Sequence, residues 1–238
     1  MGSKSGTREE PSILAAAERQ MRTWVQTAEM GERAAGQYDV RRLAERIKPY
    51  LTISREEGTG ASEVAQRVGK ELGWEVLDKN LLDRVAERFH LSRAFLELVD
   101  ETRNCWVHDV LGPWMDHKVV PTEKYVVGIE CVVLAAACHA SVVLVGRGTQ
   151  FFLPRDRGLA VRLVARKKYR IGQIMQQERL SEEEAGRFVE LADQGRREFV
   201  ERHFHHDISD PHLYDLVINV ERLGVEGAAR QIITALSR

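Results

Sequence analysis

The chain is predicted to fold as a right-handed, three-layer α/β domain built on a parallel sheet of five strands. Short apolar runs at 51–54, 74–77, 141–145, 159–164 and 214–220 alternate with stretches whose apolar residues recur every three or four positions. That alternation is the pattern of strands joined by crossover helices. The run Val142-Val143-Leu144-Val145 carries no polar residue, as a strand covered on both faces requires. At 238 residues the chain can bury a substantial core in one large domain. In such sheets ligands bind beyond the C-terminal strand ends, where Ser54, Asp78, Gly146-Arg147 and Ala165 fall.

Taken in order, residues 1–11 are small, polar and charged, a composition that predicts disorder. Leu14, Ala17, Met21, Trp24 and Ala28 give residues 12–35 an amphipathic helix. Its apolar stripe covers its own domain, or contacts a second copy or another protein. Residues 40–49 read as a short second helix, so that 1–48 form a tail with N-terminal helices and 49–238 the main domain. After the first strand, Val64, Ala65, Val68 and Leu72 share one face of a helix over 61–72, which Gly73 stops. The second strand ends at Asp78. Helices follow at 79–89 and, capped by Ser92, to residue 98. Residues 104–120, with Trp106, Gly112, Pro113 and Trp114, read as loop with helical pieces. Pro121 opens a long helix to residue 139, whose apolar character Glu130 and His139 interrupt, so a buried helix is expected and not a membrane span. A basic helix over 166–179 follows the fourth strand. Ser181 and Glu184 have capping-box spacing for a helix through residue 202, and a last helix covers 225–236.

Lys+Arg 35 against Asp+Glu 36 leaves a net charge of -1, which offers no global attraction to nucleic acid or an acidic membrane. An anion site must be a local cluster. Cys105, Cys131 and Cys138 are odd in number and form no C-x-x-C pair, so a disulfide framework or zinc site is not expected. No basic-then-apolar leader opens the chain, and a reducing cytoplasm is the expected location.

The stretch Leu51-Thr52-Ile53-Ser54-Arg55-Glu56-Glu57-Gly58-Thr59-Gly60-Ala61-Ser62 runs from strand through a glycine-bearing turn into a helix. Such a turn makes a phosphate site. The helix N-terminus carries unpaired N–H groups and positive dipole, and glycines allow close approach of an anion. In the usual loop, G-x-x-x-x-G-K-[ST], a lysine reaches the β- and γ-phosphates. Here Ala61 holds the lysine position and Arg55 that of the leading glycine.

Several segments together resemble the cytidylate kinase-like family, a divergent branch of the P-loop nucleoside monophosphate kinases. They are Thr52-Ile53-Ser54-Arg55 with Gly58-Thr59-Gly60, Leu77-Asp78-Lys79, Val145-Gly146-Arg147-Gly148 with Leu153-Pro154, Leu180-Ser181-Glu182-Glu183-Glu184-Ala185, and Leu213-Tyr214-Asp215-Leu216-Val217-Ile218-Asn219. The resemblance covers roughly residues 50–238. It implies strand order 2-3-1-4-5, a helical lid over about 166–202, ATP and Mg²⁺ as cofactors, and nucleotide substrates, CMP-like acceptors first. It places Gly58, Thr59, Gly60, Ala61 and Ser62 on the donor phosphates. Asp78, Arg84, Arg147 and Asp193 would serve the acceptor, with Arg170 and Arg196 as lid cations. The chain departs from the family in the missing lysine and in Gly148, where the cytidylate kinases carry aspartate.

Phosphoryl transfer needs in-line positioning and cations that neutralise developing charge, and arginine meets phosphate oxygens in bidentate fashion. Two readings of the altered loop stay open. Either Arg55 swings to the β-phosphate while Glu56 or Glu57 helps hold Mg²⁺, or the loop is degenerate and the protein is a non-catalytic nucleotide-binding regulator or scaffold. A small-molecule kinase with a non-nucleotide acceptor is a further alternative. His203-Phe204-His205-His206-Asp207 reads as a surface turn without completed zinc spacing. Cys131 and Cys138 read as buried small hydrophobes, and Trp106 and Trp114 as packing beneath a loop.

Overall fold

The computed structural model describes residues 47–78 and 124–237. The sequence expectations for 1–46, 79–123 and Arg84 lie outside the described residues. At 47–49 the chain is not helical: Ile47 is buried, and the Lys48 N–H donates to Ala137 O at 2.8 Å.

The described elements are β1 (Tyr50–Arg55), α1 (Ala61–Leu72), β2 (Glu75–Leu77), α2 (Lys124–His139), β3 (Val142–Val145), β4 (Gly158–Val164), α3 (Lys167–Glu178), α4 (Glu182–Phe204), β5 (Leu216–Asn219) and α5 (Val220–Leu236). Short 3-10 turns at Thr149–Phe151, Arg155–Arg157 and Pro211–Leu213 complete the connections. All strand pairs are parallel and the order is β2-β3-β1-β4-β5. The expected sheet is therefore present. Its register sets Ile53 beside Val145 and Val161, which aligns the C-terminal ends of β1, β3 and β4.

One face of the sheet, from Leu51, Ile53, Val143, Val145, Val161 and Leu163, packs on α1 and α5 through Val64, Val68, Ala228 and Ile232. Because strand side chains alternate, Thr52, Ser54 and Arg162 turn to the other face. α5 begins earlier than periodicity indicates, and Gly224 (φ 69°, ψ 170°) divides it into two helical pieces. β5 is shorter than expected because the Tyr214 N–H closes the Pro211–Leu213 turn, donating to Pro211 O at 3.1 Å, before the strand starts. Among the described residues no helix is long and apolar enough to cross a membrane.

α3 and α4 form a helical hairpin with a small core of its own, Ile174, Ala185 and Val189. The capping box is formed: Ser181 Oγ accepts from the Glu184 N–H at 3.3 Å, and Glu184 Oε2 accepts from the Ser181 N–H at 2.9 Å. The segment at 203–206 is not a surface turn. His203 and Phe204 are buried at the end of α4, and His206 stacks on Phe151.

Candidate functional site

β1 delivers the chain into the glycine turn at Arg55, which is the last strand residue and not a loop residue. The Glu56 N–H still donates to Leu163 O at 3.1 Å, carrying sheet-like bonding one residue further. Gly58 (φ 79°) and Gly60 (φ 69°) then take left-handed conformations, and Thr59 Oγ1 donates to Glu56 O at 2.7 Å to close the turn. α1 starts at Ala61 with no side-chain cap. Among the described residues the N–H groups of Gly58, Thr59, Gly60, Ala61 and Ser62 have no hydrogen-bond acceptor. These unpaired donors and the helix dipole make an open, electropositive cradle.

The two loop glutamates turn away from that cradle onto the helical hairpin. Glu56 Oε2 accepts from the Ala165 N–H at 3.1 Å and lies 3.3 Å from Arg170 Nε. Glu57 pairs with Arg196, and its N–H donates to Asp193 Oδ1 at 2.8 Å. Arg170 Nη1 donates to Asp193 Oδ2 at 2.6 Å and to Glu57 O at 3.1 Å, while its Nε donates to Ala165 O at 3.0 Å. Only 7% exposed, Arg170 is engaged with protein groups and binds the hairpin to the loop. The fit is close at Gly58, where an added Cβ would stand 2.5 Å from Arg170 O.

Beside the cradle, a cavity of about 410 Å³ is bounded on one side by Ser54, Arg55, Arg147 and Gln150 and on the other by α4. The turn after β3 holds three successive left-handed residues, Gly146 (φ 84°), Arg147 (φ 57°) and Gly148 (φ 65°). A non-glycine residue in that region is strained, and here it presents an arginine to the cavity. The Arg147 guanidinium lies 5.3 Å from the Phe199 ring centroid. Gly146 takes a left-handed conformation that disfavours other residues, and Arg55 lies across it: a Cβ there would overlap Arg55 Nη1 and displace the guanidinium. Burial first, and then the Arg196 and Arg147 cations, lower the Arg55 guanidinium to about 10, with Glu57 and Asp78 pulling the other way. Three guanidinium groups thus lie in mutual electrostatic reach around the cavity, with Glu57, paired with Arg196, as the carboxylate among them.

The structure brings together Arg55, Arg147, Arg196, Asp193 and Gly58 to Ser62. Asp78 follows β2 at the same sheet edge and is exposed. Sequence reasoning missed Arg162, hidden in an apolar strand. It is buried, donates to Ser54 Oγ at 3.1 Å and lies 5.6 Å from the Tyr214 ring centroid, with Tyr214 Oη donating to Ile208 O at 2.9 Å. It also missed the cavity-lining face of α4, whose signal was the pairing of exposed apolar residues with a mid-helix glycine.

A 2-3-1-4-5 parallel sheet, a glycine turn between β1 and α1, and a helical hairpin after β4 define the P-loop kinase fold. The chain belongs to the cytidylate kinase-like family, whose sequence model matches residues 50–222. Among curated proteins none is significantly similar. Among solved structures, an uncharacterized protein from Eubacterium ventriosum is 19% identical at a TM-score of 0.63, covering 80% of this chain and 99% of that one. This likeness establishes the shared fold. A shikimate kinase from Bacteroides thetaiotaomicron (14% identical, TM-score 0.43, coverage 81% and 99%) and a gluconokinase from Sinorhizobium meliloti (12%, 0.44, 81% and 94%) are more distant.

Proposed function

We propose that the protein transfers a phosphoryl group from ATP to a small anionic acceptor, with CMP or a related nucleoside monophosphate favoured by family membership, and works in the cytoplasm. The observation that carries this reading is the open amide cradle of Gly58 to Ser62 set beside the Arg55–Arg147–Arg196 cavity. In this reading the amides hold the donor phosphates. Arg55 supplies from the end of β1 the cationic charge that Ala61 lacks, and Arg147 and Arg196 neutralise the acceptor and the transferred group. Arg170 and Asp193 are positioning residues that seat the lid on the loop. Asp78 and Arg84 are assigned to the acceptor from the family pattern.

Ser62, exposed in the first turn of α1, would serve a magnesium nucleotide, whereas Glu56 and Glu57 are turned onto the hairpin and already paired. When bound, Mg²⁺ supplies charge neutralisation between phosphate oxygens. The protein's own part is to orient the phosphates on fixed amides, exclude water under α4, and set guanidinium charge where negative charge develops.

A non-catalytic nucleotide-binding role is the second reading, favoured by Ala61 at the lysine position and by the ion pairs that already occupy both glutamates. Titration of the full chain with Mg·ATP, followed by an acceptor screen for ADP release, separates the two. ATP binding with ADP release on a nucleoside monophosphate supports the kinase, and release on a non-nucleotide points to a small-molecule kinase. ATP binding without release supports the regulator. If the wild type binds ATP and Arg55→Ala binds it equally well, the role given to Arg55 is wrong.

A further inference from the structure

β4 is apolar except at Arg162, and the register sets that residue beside Ser54 of β1, on the same face of the sheet. Arg162 is 7% exposed, yet among the described residues no carboxylate stands within ion-pair distance of its guanidinium. Its Nη1 donates to Ser54 Oγ at 3.1 Å and lies 3.5 Å from Tyr214 Oη, with the Tyr214 ring centroid 5.6 Å from the guanidinium. The charge is felt at Asp207, but that carboxylate is exposed and is held first by Ser209, whose hydroxyl and N–H donate to it at 2.6 and 2.8 Å. A buried cation without a paired counterion costs desolvation energy, which two hydroxyl contacts and a ring return only in part.

The serine hydroxyl in front of Arg162 has a defined direction. Tyr214 has one hydroxyl hydrogen, and it goes to Ile208 O at 2.9 Å because a carbonyl can only accept. Toward Ser54 Oγ, 3.2 Å away, Tyr214 Oη is therefore the acceptor. Ser54 thus accepts from Arg162 and gives its own hydrogen to Tyr214. Ser54 and Ile208 line the cavity, whereas Arg162 stands one layer behind them. Rotation about the Ser54 Cβ–Oγ bond is enough to turn that hydrogen from Tyr214 to the cavity.

Resting on the kinase reading above for the cavity as a substrate site, we propose that Ser54 donates to a phosphate oxygen of the bound substrate and that Arg162 is the positioning residue behind it. Arg162 fixes the Ser54 oxygen and supplies a charge that the phosphate compensates. Glu57, the carboxylate of the cavity, is paired with Arg196 and does not fill that role. A charged donor on Oγ polarises the hydroxyl, which makes its hydrogen a better donor to an anion. Arg162 thereby weakens the empty fold and strengthens the occupied one.

The test is isothermal titration of the full chain with inorganic phosphate, paired with urea unfolding in its absence. Arg162→Met removes the charge and keeps an apolar stem. Phosphate affinity falls by about tenfold or more, while the phosphate-free urea midpoint stays at or above that of the wild type. An arginine that only holds the fold together gives the reverse, a lower midpoint with affinity kept, and that result overturns the inference. Ser54→Ala weakens phosphate by about threefold or more, and Ser54→Thr, which restores the hydroxyl, stays within about twofold of the wild type. Should Arg162→Met fail to fold, the serine variants decide, and equal phosphate affinity in Ser54→Ala and the wild type overturns the inference. A wild type that binds no phosphate also overturns it. Loss of phosphate affinity in both Arg162→Met and Ser54→Ala, in a protein that does not bind Mg·ATP, upholds the Arg162 role and fails the kinase reading alone.

Discussion

The Glu57 N–H donates to Asp193 Oδ1 at 2.8 Å across 136 residues of sequence, and the second oxygen of the same carboxylate takes Arg170 Nη1 at 2.6 Å. One side chain of α4 therefore fixes both the loop backbone and the cation that docks α3 on it. Asp193→Asn keeps the shape and removes the charge, leaving Arg170 with Glu56 as its carboxylate partner in a site where its side chain is 9% exposed. A loss approaching about 3–5 kcal/mol in urea unfolding is expected, the size seen when one partner of a buried pair is removed. Arg187→Ala, at an exposed pair with Glu183, should change stability by less than about 0.5 kcal/mol. Equal effects of the two variants would contradict the bridging role of Asp193.

Gly146→Ala tests the placement of Arg55. The substitution strains a left-handed position and forces Arg55 out of its place. Pyrophosphate affinity should fall by about tenfold or more, the loss of one charge-assisted contact. Gly73→Ala, also left-handed (φ 67°) but in open space, should cost about 1 kcal/mol of stability and leave pyrophosphate binding unchanged. Titration calorimetry on both variants decides the matter.

Glu130 is wholly buried in α2, and among the described residues neither of its carboxylate oxygens has a hydrogen-bond partner. Burial alone raises its pKa to about 8. A raised acid favours the folded state at low pH. Its stabilising contribution is complete below about 4.5, declines as pH rises because only the unfolded state ionises, and is gone above about 8. Each unit of separation is worth about 1.4 kcal/mol. Urea midpoints measured from pH 5 to 8 should fall for the wild type and stay flatter for Glu130→Gln. Parallel slopes in the two proteins would show that Glu130 does not titrate in this range.

Ser181→Ala removes the capping box of α4 and should cost about 1 kcal/mol. Because the cap lies at the far end of the lid hairpin, amide exchange should speed up in the first turn of α4 while β1 and β3 keep their protection. Uniform loss of protection would mean that the hairpin and sheet open together.

Local signals account for what could be read early. The 61–72 helix, Gly73 as its stop and the Ser181–Glu184 box depend on neighbours within a turn, so their residues declare them. β5 and the start of α5 were harder, since Tyr214 is held by a backbone carbonyl six residues away and Gly224 interrupts α5 without ending it. The cation cluster was legible as separate arginines. Its arrangement was not, because Arg170 and Arg196 look alike in sequence, whereas in the fold Arg170 is buried against the loop and Arg196, paired with Glu57, also lines the cavity.

By itself the sequence determined the alternation of strands and helices, the glycine turn between β1 and α1, and the loss of its lysine, because periodicity, capping and backbone conformational freedom act over a few residues. Tertiary structure alone decided which way Glu56 and Glu57 turn, that Arg55 lies across Gly146, and that one face of α4 walls the cavity. Those outcomes depend on contacts between segments far apart in the sequence, where charge pairing and burial are settled by the whole fold.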